Sequence, residues 1–155
     1  MDRARSLLPE LAASLIVLVL VAALPTGALA QESPSTTGTL RVVVTGCPSD
    51  DGSVHIGLVD RTTGFGTDAN VRAAIVPVRT GRAEYVFDAL PHDTYAVRVF
   101  HDANGNETLD TDFFGRPTEA YGFSNDARGR FGPPDFEAAA FALQADSLTV
   151  AIAVR

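Results

Sequence analysis

Between His101 and Asn125 the chain reads HDANGNETLDTDFFGRPTEAYGFSN, and oxygen-bearing side chains recur at Asp102, Asn104, Asn106, Asp110 and Asp112. A hard cation such as Ca2+ takes six to eight oxygen ligands at roughly 2.3–2.6 Å, gathered by a loop that wraps around it. Alternate residues of such a loop can point inward, and Gly105 permits a tight backbone path. Thr108 would add its backbone carbonyl, so Asp102, Asn104, Asn106, Thr108 and Asp110 take the first, third, fifth, seventh and ninth places of a calcium loop. A helix-flanked calcium hand is excluded. Its sixth place, normally Gly, is Glu107; its twelfth, normally a bidentate Glu, is Phe113; and the preceding residues alternate like a strand. Asp112 or the more distant Glu119 would have to complete the shell. The spacing therefore predicts a looser Ca2+ loop, weak because two ligands are amides, in the range of about 10⁻⁴–10⁻³ M typical of extracellular modules. The same residue types also build ion-free loops, because Asp and Asn side chains bond neighbouring backbone and tolerate left-handed conformations.

Other chemistries find less support. His55, His92 and His101 are isolated from one another, which is not a zinc-ligand pattern. Cys47 is the only cysteine, forms no internal disulfide, and reads as a small buried hydrophobe rather than a nucleophile. No GxSxG or HExxH motif occurs. A non-enzymatic protein is therefore expected, with a hydrolase using Asp102, Asp110 or Glu119 as acid and base as the weaker alternative. Glu119, Tyr121, Phe123, Ser124 and Asn125 offer aromatic and amide groups suited to a sugar or peptide surface. The competing reading is that Tyr121 and Phe123 pin the loop to the body of the domain.

The elements that must hold this loop follow a period of two. Leu40, Val42 and Val44 share one face of a first strand, and Val54, Ile56 and Leu58 repeat the pattern after the turn Pro48–Gly52. A third run, Ala74–Arg79, leads through Thr80-Gly81 to a fourth, Arg82–Asp88. Tyr95, Val97 and Val99 mark a fifth, Ala138–Leu143 a sixth, and Leu148, Val150, Ile152 and Val154 the last. Seven short strands with turn signals between them predict an all-β sandwich or barrel. Helical periodicity is absent from the domain, with at most one turn within Phe65–Ala74. The connection from Asp102 to Glu137 is long for a compact domain, and its six aromatics favour an ordered loop over disorder.

At the N-terminus, Arg3 and Arg5 precede the uncharged run Leu11–Leu24, and Ala28-Leu29-Ala30 supplies the small residues of a cleavage site. The run is too short to span a bilayer comfortably. The expectation is a signal peptide over 1–30, a flexible lead-in over 31–38, and one domain over 39–155, exported to the periplasm or beyond, with no membrane span after cleavage. The net charge of −7 is unchanged by that cleavage, since two arginines and two acids leave together, and the chain has no lysine. No basic patch is visible along the chain, which argues against nucleic acid and anionic membrane surfaces.

The stretch Leu90-Pro91-His92-Asp93-Thr94-Tyr95-Ala96-Val97, then His101-Asp102 with Asn104-Gly105-Asn106, Leu109-Asp110, Gly115-Arg116-Pro117, Glu119 and Tyr121–Asn125, resembles a secreted bacterial family known as domain of unknown function 2141. The resemblance covers roughly residues 39–155. It implies an exported immunoglobulin-like or transthyretin-like antiparallel sandwich and carries no established activity. His92-Asp93 stands where such domains usually place Pro-Gly, so Asp93 is expected in the conformation a glycine would take. The expected role is a binding or structural module acting on a cell-envelope or extracellular ligand. An adhesion or assembly subunit built by strand addition, through the regular strand Leu148–Val154, is the alternative.

Overall fold

Alternating apolar residues build the strands, and the long connection between the fifth and sixth of them folds too. The computed structural model describes residues 36–155; the expected signal peptide and the start of the lead-in lie outside the described residues. The strands are β1 (Thr37–Thr45), β2 (Ser53–Asp60), β3 (Arg72–Pro77), β4 (Arg82–Pro91), β5 (Asp93–Asp102), β6 (Tyr121–Phe123), β7 (Phe141–Leu143) and β8 (Ser147–Ala153). A 3-10 turn follows β6, and a single turn of helix, α1 (Phe136–Ala139), precedes β7. One sheet has the order β4-β1-β8; the other has β3-β2-β5-β6, with β7 on the remaining stretch of β5. Leu40, Val42, Val44, Ala83, Phe87 and Ile152 face Val54, Ile56, Leu58, Val97 and Val99 in a continuous buried core. Each Leu, Val, Ile or Phe side chain among them stabilises the fold by about 1.5–3 kcal/mol when fully buried, which is why the alternation fixes the facing of these strands.

Five expectations need correction, four in the strands and one in a turn. β1 begins at Thr37, inside the expected lead-in. The sandwich has eight strands rather than seven, because β6 forms within the expected loop and pairs with β5, Tyr121 opposite Phe100 and Phe123 opposite Arg98. The sheets are not wholly antiparallel: β1 and β8 run parallel, Leu40 beside Leu148 and Val44 beside Ile152. Alternation looks the same in either direction, and the whole domain between these strands supplies the long crossover that a parallel pair needs. The expected strand Ala138–Leu143 is divided between α1 and the three residues of β7. Phe136 and Ala139 are held helical by packing with Val59, Phe65 and Ala96 in a second small cluster on the outer face of the five-stranded sheet.

The turn chemistry is local. Thr80 and Gly81 both have left-handed φ, and their N–H groups donate to the Asp50 carboxylate at 2.9 and 2.7 Å. At the β4–β5 corner it is Ala89 that takes a positive φ, not Asp93, whose carboxylate instead accepts the Thr94 N–H at 2.7 Å.

Candidate binding site

Asp102 ends β5 with 1% of its surface exposed. Its Oδ1 accepts the N–H groups of Gly105 (2.7 Å) and Asn106 (3.2 Å), and its Oδ2 accepts that of Glu107 (2.9 Å). The chain thus doubles back around one carboxylate, with Glu107 in a left-handed conformation. Burial raises the Asp102 pKa, but the three N–H donors and nearby His55 outweigh it and hold the carboxyl below its usual range. Gly52 packs against this corner so closely that a Cβ there would stand 1.9 Å from the Asp102 carbonyl oxygen. His101, buried beside it, holds the same turn through Nε2 at 2.7 Å from the Asp51 carbonyl oxygen.

The remaining loop oxygens are also engaged. Asn104 and Asn106 donate from Nδ2 to the two oxygens of Asp110, at 2.6 and 2.9 Å. Asn106 Oδ1 accepts the Thr108 N–H at 2.9 Å, and the Thr108 hydroxyl donates to the Asn106 carbonyl. Glu119 clamps the base of the loop, accepting the N–H of Ala103 at 3.2 Å and of Asp110 at 3.1 Å. Asp112 is separate: it caps a small hairpin by accepting the Phe114 and Arg116 N–H groups and by pairing with the Arg116 guanidinium at 2.8 Å. The donors present therefore fit a cation only in part. Asn104, Asn106 and Asp110 converge; Asp102 faces backbone amides and Asp112 faces Arg116. Among the described residues no three His, Cys, Asp or Glu side chains gather at one point.

The expected ligand surface also divides. Ser124 is fully buried: its Oγ accepts the Val97 N–H at 2.9 Å and donates to the Ala139 carbonyl at 2.7 Å, tying β5 to α1. Asn125, left-handed, donates to the Ala140 carbonyl at 2.9 Å. These two are clasps, and Ser124 cannot meet a ligand. Tyr121 and Phe123 instead stand on the outer face of the five-stranded sheet, half exposed, Phe123 edge-on to Phe65 with centroids 5.0 Å apart.

That outer face carries a groove of about 630 Å³, within the size range of ligand sites. Strand register sets its floor. Ile75, His55, Phe100 and Tyr121 lie side by side across four strands, and Ala73, Gly57, Arg98 and Phe123 form the next row. The His55 and Phe100 rings stack at 4.6 Å. His55 Nε2 stands 3.3 Å from Asp102 Oδ2, too oblique for a hydrogen bond, and has no hydrogen-bond partner among the described residues. Arg98 fixes one wall by donating to the carbonyls of Thr67 (2.7 Å) and Ala69 (3.2 Å) and to Asn70 Oδ1 (3.2 Å). Gly57 makes room for that arrangement, since a Cβ there would lie 2.3 Å from Asn70 Oδ1. Glu107, Thr108 and Leu109 form the opposite wall, so the braced loop shapes the groove. Single-sequence reading found Tyr121 and Phe123 but missed Ile75, His55, Arg98 and Phe100. Their outward parity on β2, β3 and β5 was the available signal.

Over residues 42–151 the chain matches the family described as uncharacterized protein conserved in bacteria (DUF2141). No curated protein and no solved structure matches it.

Proposed function

The chain belongs to this bacterial family, and from its groove and braced loop we propose an exported, non-enzymatic binding module that takes an extended apolar peptide segment. One observation carries the reading: the groove is bordered by β3, the end strand of the five-stranded sheet, through Ala73, Ala74 and Ile75. From Ala73 to Val76 this edge has no charged side chain, and Ile75 is 57% exposed. An added strand would gain main-chain hydrogen bonds from the edge while alternate side chains enter the groove. β8, the strand expected to serve such addition, is partly covered, because Arg155 and Tyr121 exchange backbone hydrogen bonds at 3.2 and 3.3 Å. The non-catalytic reading is supported by the carboxylates. Asp102, Asp110 and Glu119 all accept hydrogen bonds that close the loop, and none of these three lines the groove, whose own carboxylates are Asp68 and Glu107. Export rests on the first 30 residues of the sequence.

A titration of ¹⁵N-labelled protein with a short alternating Val/Thr peptide tests this. Shifts and slowed amide exchange are expected at Ala73–Val76, lost when alternate peptide nitrogens are methylated. An unperturbed β3 and groove would reject the reading.

A second reading keeps Ca2+ in the loop, favoured by the convergence of Asn104, Asn106 and Asp110. Turning the two amides over would aim their oxygens, rather than N–H groups, at the space beside Asp110, at the cost of the bonds those oxygens accept from the Asn106 and Thr108 N–H groups. Calorimetric titration and melting with and without chelator decide it: heat and a raised melting temperature support the ion, and neither would dismiss it.

A further inference from the structure

Of the chain's asparagines, Asn70, Asn104, Asn106 and Asn125, Asn104 alone precedes a glycine. Asparagine is a chemically labile side chain, and it is most labile before glycine, where no side chain shields the following backbone nitrogen. The reaction is internal to the chain. The Gly105 nitrogen attacks Asn104 Cγ, the bond from Cγ to Nδ2 breaks, and the side-chain amide leaves as ammonia, carrying the proton that the Gly105 nitrogen gives up. The product is a cyclic imide across the two residues. Water then opens the ring at either carbonyl carbon, leaving aspartate at position 104 or isoaspartate, in which the main chain runs through the side-chain carbon.

Both residues are exposed, and a Cβ on Gly105 would meet nothing within 4 Å, so water reaches the site. What restrains the reaction is the loop's own bonding. The Gly105 N–H donates to Asp102 Oδ1 at 2.7 Å, and a carboxylate beside that nitrogen opposes the loss of its proton. Asn104 Nδ2 donates to Asp110 Oδ2 at 2.6 Å, and its Oδ1 accepts the Asn106 N–H at 3.0 Å. Ring closure consumes both donors, the Gly105 N–H and Asn104 Nδ2. The closed loop therefore holds two charge-assisted bonds that the imide cannot make.

Neither product restores the loop. Aspartate at position 104 sets a carboxylate against that of Asp110, where a donor and an acceptor stood 2.6 Å apart. Isoaspartate adds a backbone atom to the turn that presents the Gly105, Asn106 and Glu107 N–H groups to Asp102. Either change loosens the segment whose Glu107, Thr108 and Leu109 wall the groove.

We propose that Asn104–Gly105 is a self-modification site held in check by Asp102 and Asp110, and that its conversion to aspartate or isoaspartate releases the groove wall. The modification belongs to the loop and stands whether or not the groove takes a peptide.

The full chain is incubated at mildly alkaline pH, native and in urea sufficient to unfold it. Mass spectrometry follows conversion as the gain from replacing NH2 by OH, mapped to the peptide containing Asn104. Conversion should be roughly 10- to 100-fold slower in the native chain, the factor expected for forfeiting one hydrogen bond to a charged acceptor. Asp102→Ala should bring the native rate toward the unfolded one, and Asn104→Gln should remove the mass gain from this peptide. The ratio of native to unfolded rates is read on the parent chain, so it stands even where a variant fails to fold. In the converted native chain, amide exchange should quicken over residues 105–109 and stay slow in β2 and β5. No mass gain at Asn104 in urea, equal native and unfolded rates, a folded Asp102→Ala chain converting no faster than the parent, or unchanged exchange over 105–109 after conversion would overturn the proposal.

Discussion

Replacing Asp102 by Ala removes one acceptor from three backbone N–H groups at once, those of Gly105, Asn106 and Glu107. A hydrogen bond to a charged group contributes about 1.5–3 kcal/mol. The three donors lie near the surface, where water restores part of the loss, so the net cost is set at about 3 kcal/mol. For a domain of this size that lowers the melting temperature by about 10 °C. Asp112→Ala is the comparison. It removes the same kind of bonds from an exposed hairpin, where water replaces them, and should lower the melting temperature by less than Asp102→Ala does. The pH dependence has a defined sign. The folded Asp102 pKa lies below the unfolded value of about 3.9, so its stabilisation is present above about pH 4 and is lost as pH falls through the folded value. Urea denaturation at pH 7 and at pH 3 measures both effects. Asp102→Ala should flatten the acid loss as well as lower stability at pH 7. A variant within about 0.5 kcal/mol of the parent would refute the argument that this carboxylate organises the loop.

Ser124→Ala should destabilise by about 2 kcal/mol in chemical denaturation, because it strands the buried Val97 N–H and Ala139 carbonyl without replacing either bond. Asp60 has its pKa lowered to about 2, by the Thr62 hydroxyl first and then the Thr63 N–H. Its contribution should therefore be complete above about pH 4 and fade toward pH 2, and Asp60→Asn should remove that part of the acid transition. Gly57→Ala places a methyl group against Asn70 and Arg98. It should displace the wall at residues 67–70, seen as faster amide exchange there and weaker peptide binding, with the core strands unaffected. Cys47 should react slowly with a thiol reagent in the native state and rapidly in urea, since burial pushes its thiol pKa up.

The strands that build the core were legible because burial on one face imposes strict alternation. Leu40, Val42 and Val44, then Val54, Ile56 and Leu58, then Tyr95, Val97 and Val99 point inward as that pattern requires. Family membership was legible too, from the motif running through His101 to Asn125. β6 was hidden by length: three residues give no period, and only pairing with β5 makes Tyr121–Phe123 a strand. The turn at Phe136–Ala139 was hidden in the same way, since packing on Val59 and Phe65 rather than propensity holds it. Oxygen-rich spacing at Asp102–Asp112 specified a closed loop without specifying what closes it. Whether a carboxylate faces a neighbouring amide, a guanidinium or a shared centre depends on backbone direction, which one-dimensional spacing does not contain. The groove was decided by tertiary structure alone. Ile75, His55, Phe100 and Tyr121 are far apart in sequence, and they meet because the register of four strands brings them level on a single sheet face.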